Sequence, residues 1–222
     1  MSRDALAARW GLNPDSARLA LALTHRSATG GAGASNERLE FLGDALLGAL
    51  VAEWLYENLP GDADEATLSR CRMAVVRKET LADAARELGL AELLAVGNGE
   101  RIDGRQKLDR LLADAYEALL AAIHLDLGSD AARSFLEATL GDRLESACAS
   151  PPAPDPKSAL QERLQSEGRG LPTYSLVADD AESVRVEVRT EAGETLAEGV
   201  GRSKRLAERE AARQALERLG PG

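Results

Sequence analysis

Five acidic side chains fall where helical spacing can bring them together. In Asn36–Leu47, NERLEFLGDALL, Glu37, Glu40 and Asp44 recur three and four residues apart, which puts them on one face of a helix. Leu39, Leu42, Leu46 and Leu50 fall on the opposite, apolar side. A second pair, Asp114 and Glu117, stands at i, i+3 in LLADAYEALLAAIHLDL (111–127), where Leu112, Tyr116, Leu119 and Ile123 make the core face. Like charges on one stripe repel by roughly a few tenths of a kcal/mol per pair, so such a face is unfavourable unless cations sit on it. If the two helices pack side by side, Glu40, Asp44, Asp114 and Glu117 converge. An all-oxygen set of this kind suits Mg2+ or Mn2+, ions that activate water and neutralise charge on a phosphodiester. Spacing alone leaves the plainer reading open, in which these acids simply face solvent.

The elements that must hold these residues read clearly. Asn13-Pro14 is a helix start, a cap followed by proline. Ser35 or Asn36 can cap a long helix ending near Asn58, before Pro60-Gly61. Further helices are expected near Glu65–Arg77, Glu79–Leu88, Leu108–Leu127 and Asp130–Ser146, punctuated by Gly89, Gly97, Gly99 and Gly128. Ala147–Pro156 holds four of the eight prolines and reads as a linker. Beyond it the pattern becomes α-β-β-β-α: a helix over Lys157–Glu167, strands over Thr173–Ala178, Ser183–Thr190 and Thr195–Val200, and an alanine-rich helix over Ser203–Leu219.

Composition narrows the setting. The chain has 222 residues, 44% hydrophobic and 29% charged, as a folded globular protein does. Aromatics are only 3%, so a helical core of Leu, Ala and Val is expected. No apolar run approaches the ~20 residues a membrane span needs, and no signal-peptide core opens the chain, so a cytoplasmic protein is expected. Cys71 and Cys148 are too few for a disulfide framework or a thiolate metal site. A net charge of −10 opposes bulk attraction to polyanions, so any nucleic-acid contact must be a local patch.

These motifs resemble the ribonuclease III family. NERLEFLGDALL matches its signature, LTHRS (23–27) and LADAYEALLAAIHLD (112–126) fall where its other motifs lie, and DPKSALQERLQ, LPTYSLV and GRSKRLAEREAARQAL look like its double-stranded-RNA-binding domain. The resemblance implies an all-α endonuclease domain over 1–146, a Pro-rich linker over 147–156, and a small α+β double-stranded-RNA-binding domain over 157–220. It implies a homodimer that cuts double-stranded RNA with Mg2+, for which Mn2+ can substitute, leaving 5′-phosphate and 3′-hydroxyl ends, in ribosomal and other RNA processing. Glu40, Asp44, Asp114 and Glu117 match the metal-binding carboxylates, with Asp44 and Glu117 the essential catalytic pair. Glu37 and Phe41 match positions at the dimer interface. Phe41 shares the acidic side of its helix with Gly48, an odd place for a phenyl ring unless a partner subunit covers it.

An A-form duplex is read through its shape, phosphates and 2′-hydroxyls. Arg202, Lys204 and Arg205 cluster at a helix N-terminus, where free N–H groups also favour phosphate, and Lys157 is a possible addition. Gln161 and Glu162 are the minor-groove residues by resemblance. The chain departs from the family in three places. Arg110, with one extra residue before it, stands near a usual small residue. The segment ADDAESV (178–184) is short, acidic and lacks the usual Gly-Pro and His. Arg209 replaces a common Gln or Lys. The acidic loop predicts weaker RNA binding than in relatives. His25 and His124 read as structural histidines, and the two cysteines as inert thiols. TGGAGAS (29–35) lacks the Gly-Lys-Ser/Thr of a phosphate-binding loop, so it reads as a connector. A non-cleaving double-stranded-RNA-binding protein is the alternative; it would have no reason to keep four clustered acids that repel phosphate.

Overall fold

The computed structural model describes residues 2–30, 34–97, 105–180 and 182–220, and only the backbone of 105 and 106. Gly99, the centre of the glycine-rich connector and Ala181 of the acidic loop lie outside the described residues. The chain forms two units, one ending at Pro152 and the other beginning at Ala153.

The first unit is helical: α1 (Arg3–Trp10), α2 (Ala17–Ala22), α3 (Glu37–Asn58), α4 (Glu65–Val76), α5 (Lys78–Glu87), α6 (Leu90–Leu93), α7 (Arg105–Leu127) and α8 (Ser129–Ala149). Helix α7 is the axis of the packing. From Leu111 to Ile123 every residue except Glu117 is buried, with α3, α5, α8 and α2 around it. Its many alanines let those helices approach closely. Leu47, Leu50, Val51 and Leu55 of α3 and Phe135, Leu136 and Leu140 of α8 complete the core. Phe135 meets the Trp10 ring edge-on at 4.7 Å and lies 5.3 Å from Tyr116. Thr139 donates its hydroxyl to the Phe135 carbonyl at 2.8 Å, so the buried Tyr116 hydroxyl donates to Thr139 at 2.6 Å.

Three local expectations are corrected. Asn13-Pro14 does not start a helix. Asn13 accepts from the Asp15 amide in a turn, and Ser16 caps α2 by accepting from Leu19 N–H. Asn36 occupies the N-cap of α3, but its side chain makes no capping hydrogen bond. The linker starts later than Ala147, because Ala147, Cys148 and Ala149 continue α8; alanine favours helix, and the interruption comes only with the prolines from 151. Sequence reading also missed α1, which Ser2 caps and Gly11 ends in a left-handed conformation.

The second unit is α9 (Pro156–Ser166), β1 (Thr173–Asp179), β2 (Val184–Arg189), β3 (Thr195–Gly201) and α10 (Lys204–Leu219). The sheet is antiparallel in the order β1-β2-β3. Val184, Val186 and Val188 alternate inward against Leu160, Leu164 and the alanine stripe Ala207, Ala211, Ala212 and Ala215. A Cβ on Gly199 would lie 2.1 Å from Ala211 N, and one on Gly201 2.6 Å from Ala207 N. Both glycines are therefore what lets α10 lie on β3. Cys71 and Cys148 are free; burial pushes both thiols up, and Cys71 adds to the shift of Cys148. No described helix is long and apolar enough to cross a membrane.

Candidate active site and nucleic-acid interface

The two acid-bearing helices meet at Gly43. A Cβ there would lie 2.0 Å from the Glu117 carbonyl oxygen, so α7 passes directly over the one residue of this stretch without a side chain. That contact sets Glu40 and Asp44, which flank Gly43, against Asp114 and Glu117. Carboxylate oxygens of Glu40, Asp114 and Glu117 all lie within 4.8 Å of one another. Asp44 stands outside that spacing but lines the same cleft, of about 430 Å³. Glu37 and Phe41 form its rim; Glu37 accepts from Ser35 Oγ at 3.1 Å and faces Arg26 at 3.5 Å. Phe41 is 81% exposed.

The crowding shows in the acids' proton affinity. Burial, then the charges of Asp44, Asp114 and Glu40, push Glu117 up to about 8. Burial likewise raises Asp114, against the charges of Lys78, Arg110 and His25. Glu40 is raised by burial and by Asp114. Carboxylate oxygens at this spacing, buried on Asp114 and half-buried on Glu40 and Glu117, with no nitrogen or sulfur ligand among the described residues of the cluster, fit a hard divalent cation.

Sequence reasoning missed Lys78. It opens α5 and lines the carboxylate cleft, and nothing in the spacing of the acidic motifs points to it. Arg110, noted as a departure, stands 3.8 Å from Asp114. With His25, Arg26 and Lys107 it lines a smaller adjoining cleft of about 210 Å³ that shares Glu37, Glu40 and Asp114. His25 is structural, as read: its Nδ1 accepts from Ser27 N–H and caps a 3₁₀ turn over Arg26–Thr29.

In the second unit Gln161 and Glu162 are exposed on α9, and Arg202, Lys204 and Arg205 are exposed at the start of α10. Ser203 caps that helix by accepting from Leu206 N–H at 3.4 Å. Among the described residues, these three cations and Arg185 have no carboxylate or carbonyl partner. The unit's other cations are engaged internally. Lys157 pairs with Glu208 at 2.6 Å and lies 4.6 Å above the Tyr174 ring, which removes it as an addition to the cluster. Arg209 pairs with Asp155 at 3.0 Å. Across the acidic loop, Asp180 and Ser183 exchange backbone hydrogen bonds.

Comparison with known proteins agrees with this architecture. The family model described as Ribonuclease-III-like matches residues 15–144, and that for the double-stranded RNA binding motif matches 156–219. Ribonuclease 3 of Alkalilimnicola ehrlichii is 43% identical, covering 89% of this chain and 87% of the relative. Ribonuclease 3 of Pseudomonas fluorescens is 45% identical, covering 93% and 90%. Among solved structures, the nuclease domain of ribonuclease III from Campylobacter jejuni superposes with a TM-score of 0.55 at 32% identity, over 65% of this chain and 97% of that one. With relatives matched over nearly their full length, the chain belongs to the ribonuclease III family and is an endoribonuclease of that type, carrying a double-stranded-RNA-binding domain after its nuclease domain.

Proposed function

We propose that this endoribonuclease cuts double-stranded RNA as a homodimer with Mg2+, for which Mn2+ can substitute, leaving 5′-phosphate and 3′-hydroxyl ends. The observation that carries the reading is the convergence of Glu40, Asp114 and Glu117 oxygens within 4.8 Å, with Asp44 on the same cleft wall. These four would hold the metal. When bound, it supplies activation of the attacking water and neutralisation of phosphate charge. Asp44 and Glu117 are the pair whose loss should matter most, because Glu117 is the acid pushed furthest up and Asp44 is the acid whose charge acts on it most strongly.

The second unit brings the duplex. Arg202, Lys204 and Arg205 meet phosphates, while Gln161 and Glu162 on α9 reach the minor groove. The exposed Phe41 and, further along α3, the 79% exposed Tyr56 favour a second copy of the chain over solvent, with Glu37 at the edge of the junction. The Campylobacter jejuni structure is itself described as showing a region involved in dimer formation. The substrates proposed are ribosomal and other transcripts that fold into duplexes, in a cytoplasmic setting.

The test is direct. A long RNA duplex incubated with the protein should shorten to small duplex products in Mg2+ and stay intact in EDTA. Glu117→Gln should bind the duplex and leave it uncut. Metal-independent cutting, or products of a single-stranded substrate only, would refute the reading.

A further inference from the structure

The carboxylate cleft has a third wall that neither acidic helix supplies. Helix α5 begins there with Lys78, whose charge acts on Glu40, Asp114 and Glu117 together. Yet the ammonium collapses onto none of them. Among the described residues Lys78 has no ion pair or hydrogen bond, and its side chain is exposed. Neighbouring arginines behave otherwise: Arg77 donates to Thr80 Oγ1 at 3.1 Å, and Arg86 pairs with Asp83 at 2.7 Å. Nor does helix stability account for a lysine at this place. The first turn of a helix disfavours a cation, and α5 has no side-chain cap to offset it.

What, then, does Lys78 face when the cleft is in use? Once divalent ions occupy the carboxylates, the acids' charge is largely cancelled, and the remaining anion in a ribonuclease cleft is the RNA phosphate. An ammonium that lines the same cleft from a separate helix, and is tied to none of the acids, is free to meet a phosphate oxygen that the metal does not hold. We propose that Lys78 is a further catalytic residue, contacting a non-bridging oxygen of the scissile phosphate and stabilising the charge that grows there in the transition state. The inference rests on the reading that Glu40, Asp44, Asp114 and Glu117 hold the metal.

The same position has an opposite consequence for the protein without RNA. There Lys78 is a positive charge beside the metal ligands, and it opposes the binding of another cation. Removing it should therefore tighten metal binding while slowing cleavage. A residue that merely supports the shape of the cleft would give the reverse on the first count, since a disturbed cleft binds metal more weakly.

The experiment compares wild type, Lys78→Ala, Lys78→Gln and Lys78→Arg in the full chain. Single-turnover cleavage of a blunt RNA duplex at saturating Mg2+ should fall about 10- to 100-fold in the Ala and Gln variants and stay within about fivefold in Lys78→Arg, which keeps the charge. Calorimetric titration with Mn2+ alone should show affinity raised about two- to fivefold in Lys78→Ala and Lys78→Gln. Cleavage reduced less than tenfold in both neutral variants would overturn the proposal, as would slower cleavage accompanied by unchanged or weaker Mn2+ binding. If wild type itself failed to cut the duplex in Mg2+, the underlying reading would fall instead, so the two failures are separable.

Discussion

A methyl group on Gly43 would sit 2.0 Å from the Glu117 carbonyl oxygen, and this backbone contact is what holds four acids around one cleft. Gly43→Ala must push α3 and α7 apart. It should destabilise the nuclease unit by about 1–3 kcal/mol and reduce cleavage about a hundredfold, because small misplacements of ligands are costly to catalysis. Gly141 of α8 has nothing within 4 Å of its would-be Cβ. Gly141→Ala should instead gain roughly 0.5–1 kcal/mol. Urea melts of both variants, with single-turnover assays, check the contrast; equal behaviour of the two would refute it.

Proton release should accompany metal binding. Glu117 sits at about 8 because it is buried among Asp44, Asp114 and Glu40, so at pH 7 it holds its proton in the metal-free protein. A divalent ion requires the carboxylate and should expel about one proton. Mn2+ titrations at pH 7 in buffers of different ionisation enthalpy measure this, and the Glu117→Gln variant should lose it. The folded state binds this proton more tightly than the unfolded chain does. Its contribution to stability is therefore complete below the ordinary value of 4.5 and is lost as pH rises toward 8. Thermal melts in EDTA should fall over that window.

RNA affinity should depend on one cation cluster. In full-length protein carrying Glu117→Gln, the double change Lys204→Ala with Arg205→Ala should weaken duplex binding at least about tenfold and lower the salt slope by about two. Lys157→Ala should change affinity less than about threefold, since that ammonium is committed to Glu208 and the Tyr174 ring. Filter binding across a salt series measures both. An unaltered slope in the double variant would move the RNA to another surface.

Assembly should depend on Phe41. Light scattering at micromolar concentration should give about twice the 23.5 kDa chain mass, and Phe41→Asp should shift the protein toward monomer by placing a charge where an exposed phenyl ring now stands. A wild-type monomer that cuts both strands would contradict the dimer.

The site was legible where it obeys helical spacing and hidden where it depends on packing. Glu40 with Asp44, and Asp114 with Glu117, are near neighbours within one helix, so periodicity alone puts each pair on a face. Which two helices meet is a tertiary fact, and Gly43 gives the contact away only once α7 is seen passing over it. Lys78 had no such signal: it belongs to a different helix and reaches the cleft only because α5 packs on α7. Likewise Lys157 reads as available for RNA in the sequence, and its engagement depends on Glu208, 51 residues further along the chain. Helix ends read from local chemistry fared unevenly. Asn13-Pro14 offered a start signal, but Ser16 provides the hydroxyl that accepts from the helix amide.

Gly199 and Gly201 leave β3 so bare that α10 rests backbone to backbone upon it. The helix that presents Lys204 and Arg205 is thus seated on its sheet by direct backbone approach, and the charges at its start are carried from that seat. A phosphate accepts a hydrogen bond from either lysine or arginine, so those tips can exchange one for the other. The two glycines cannot be exchanged in that way. The placement of these charges is therefore set by two residues that carry none.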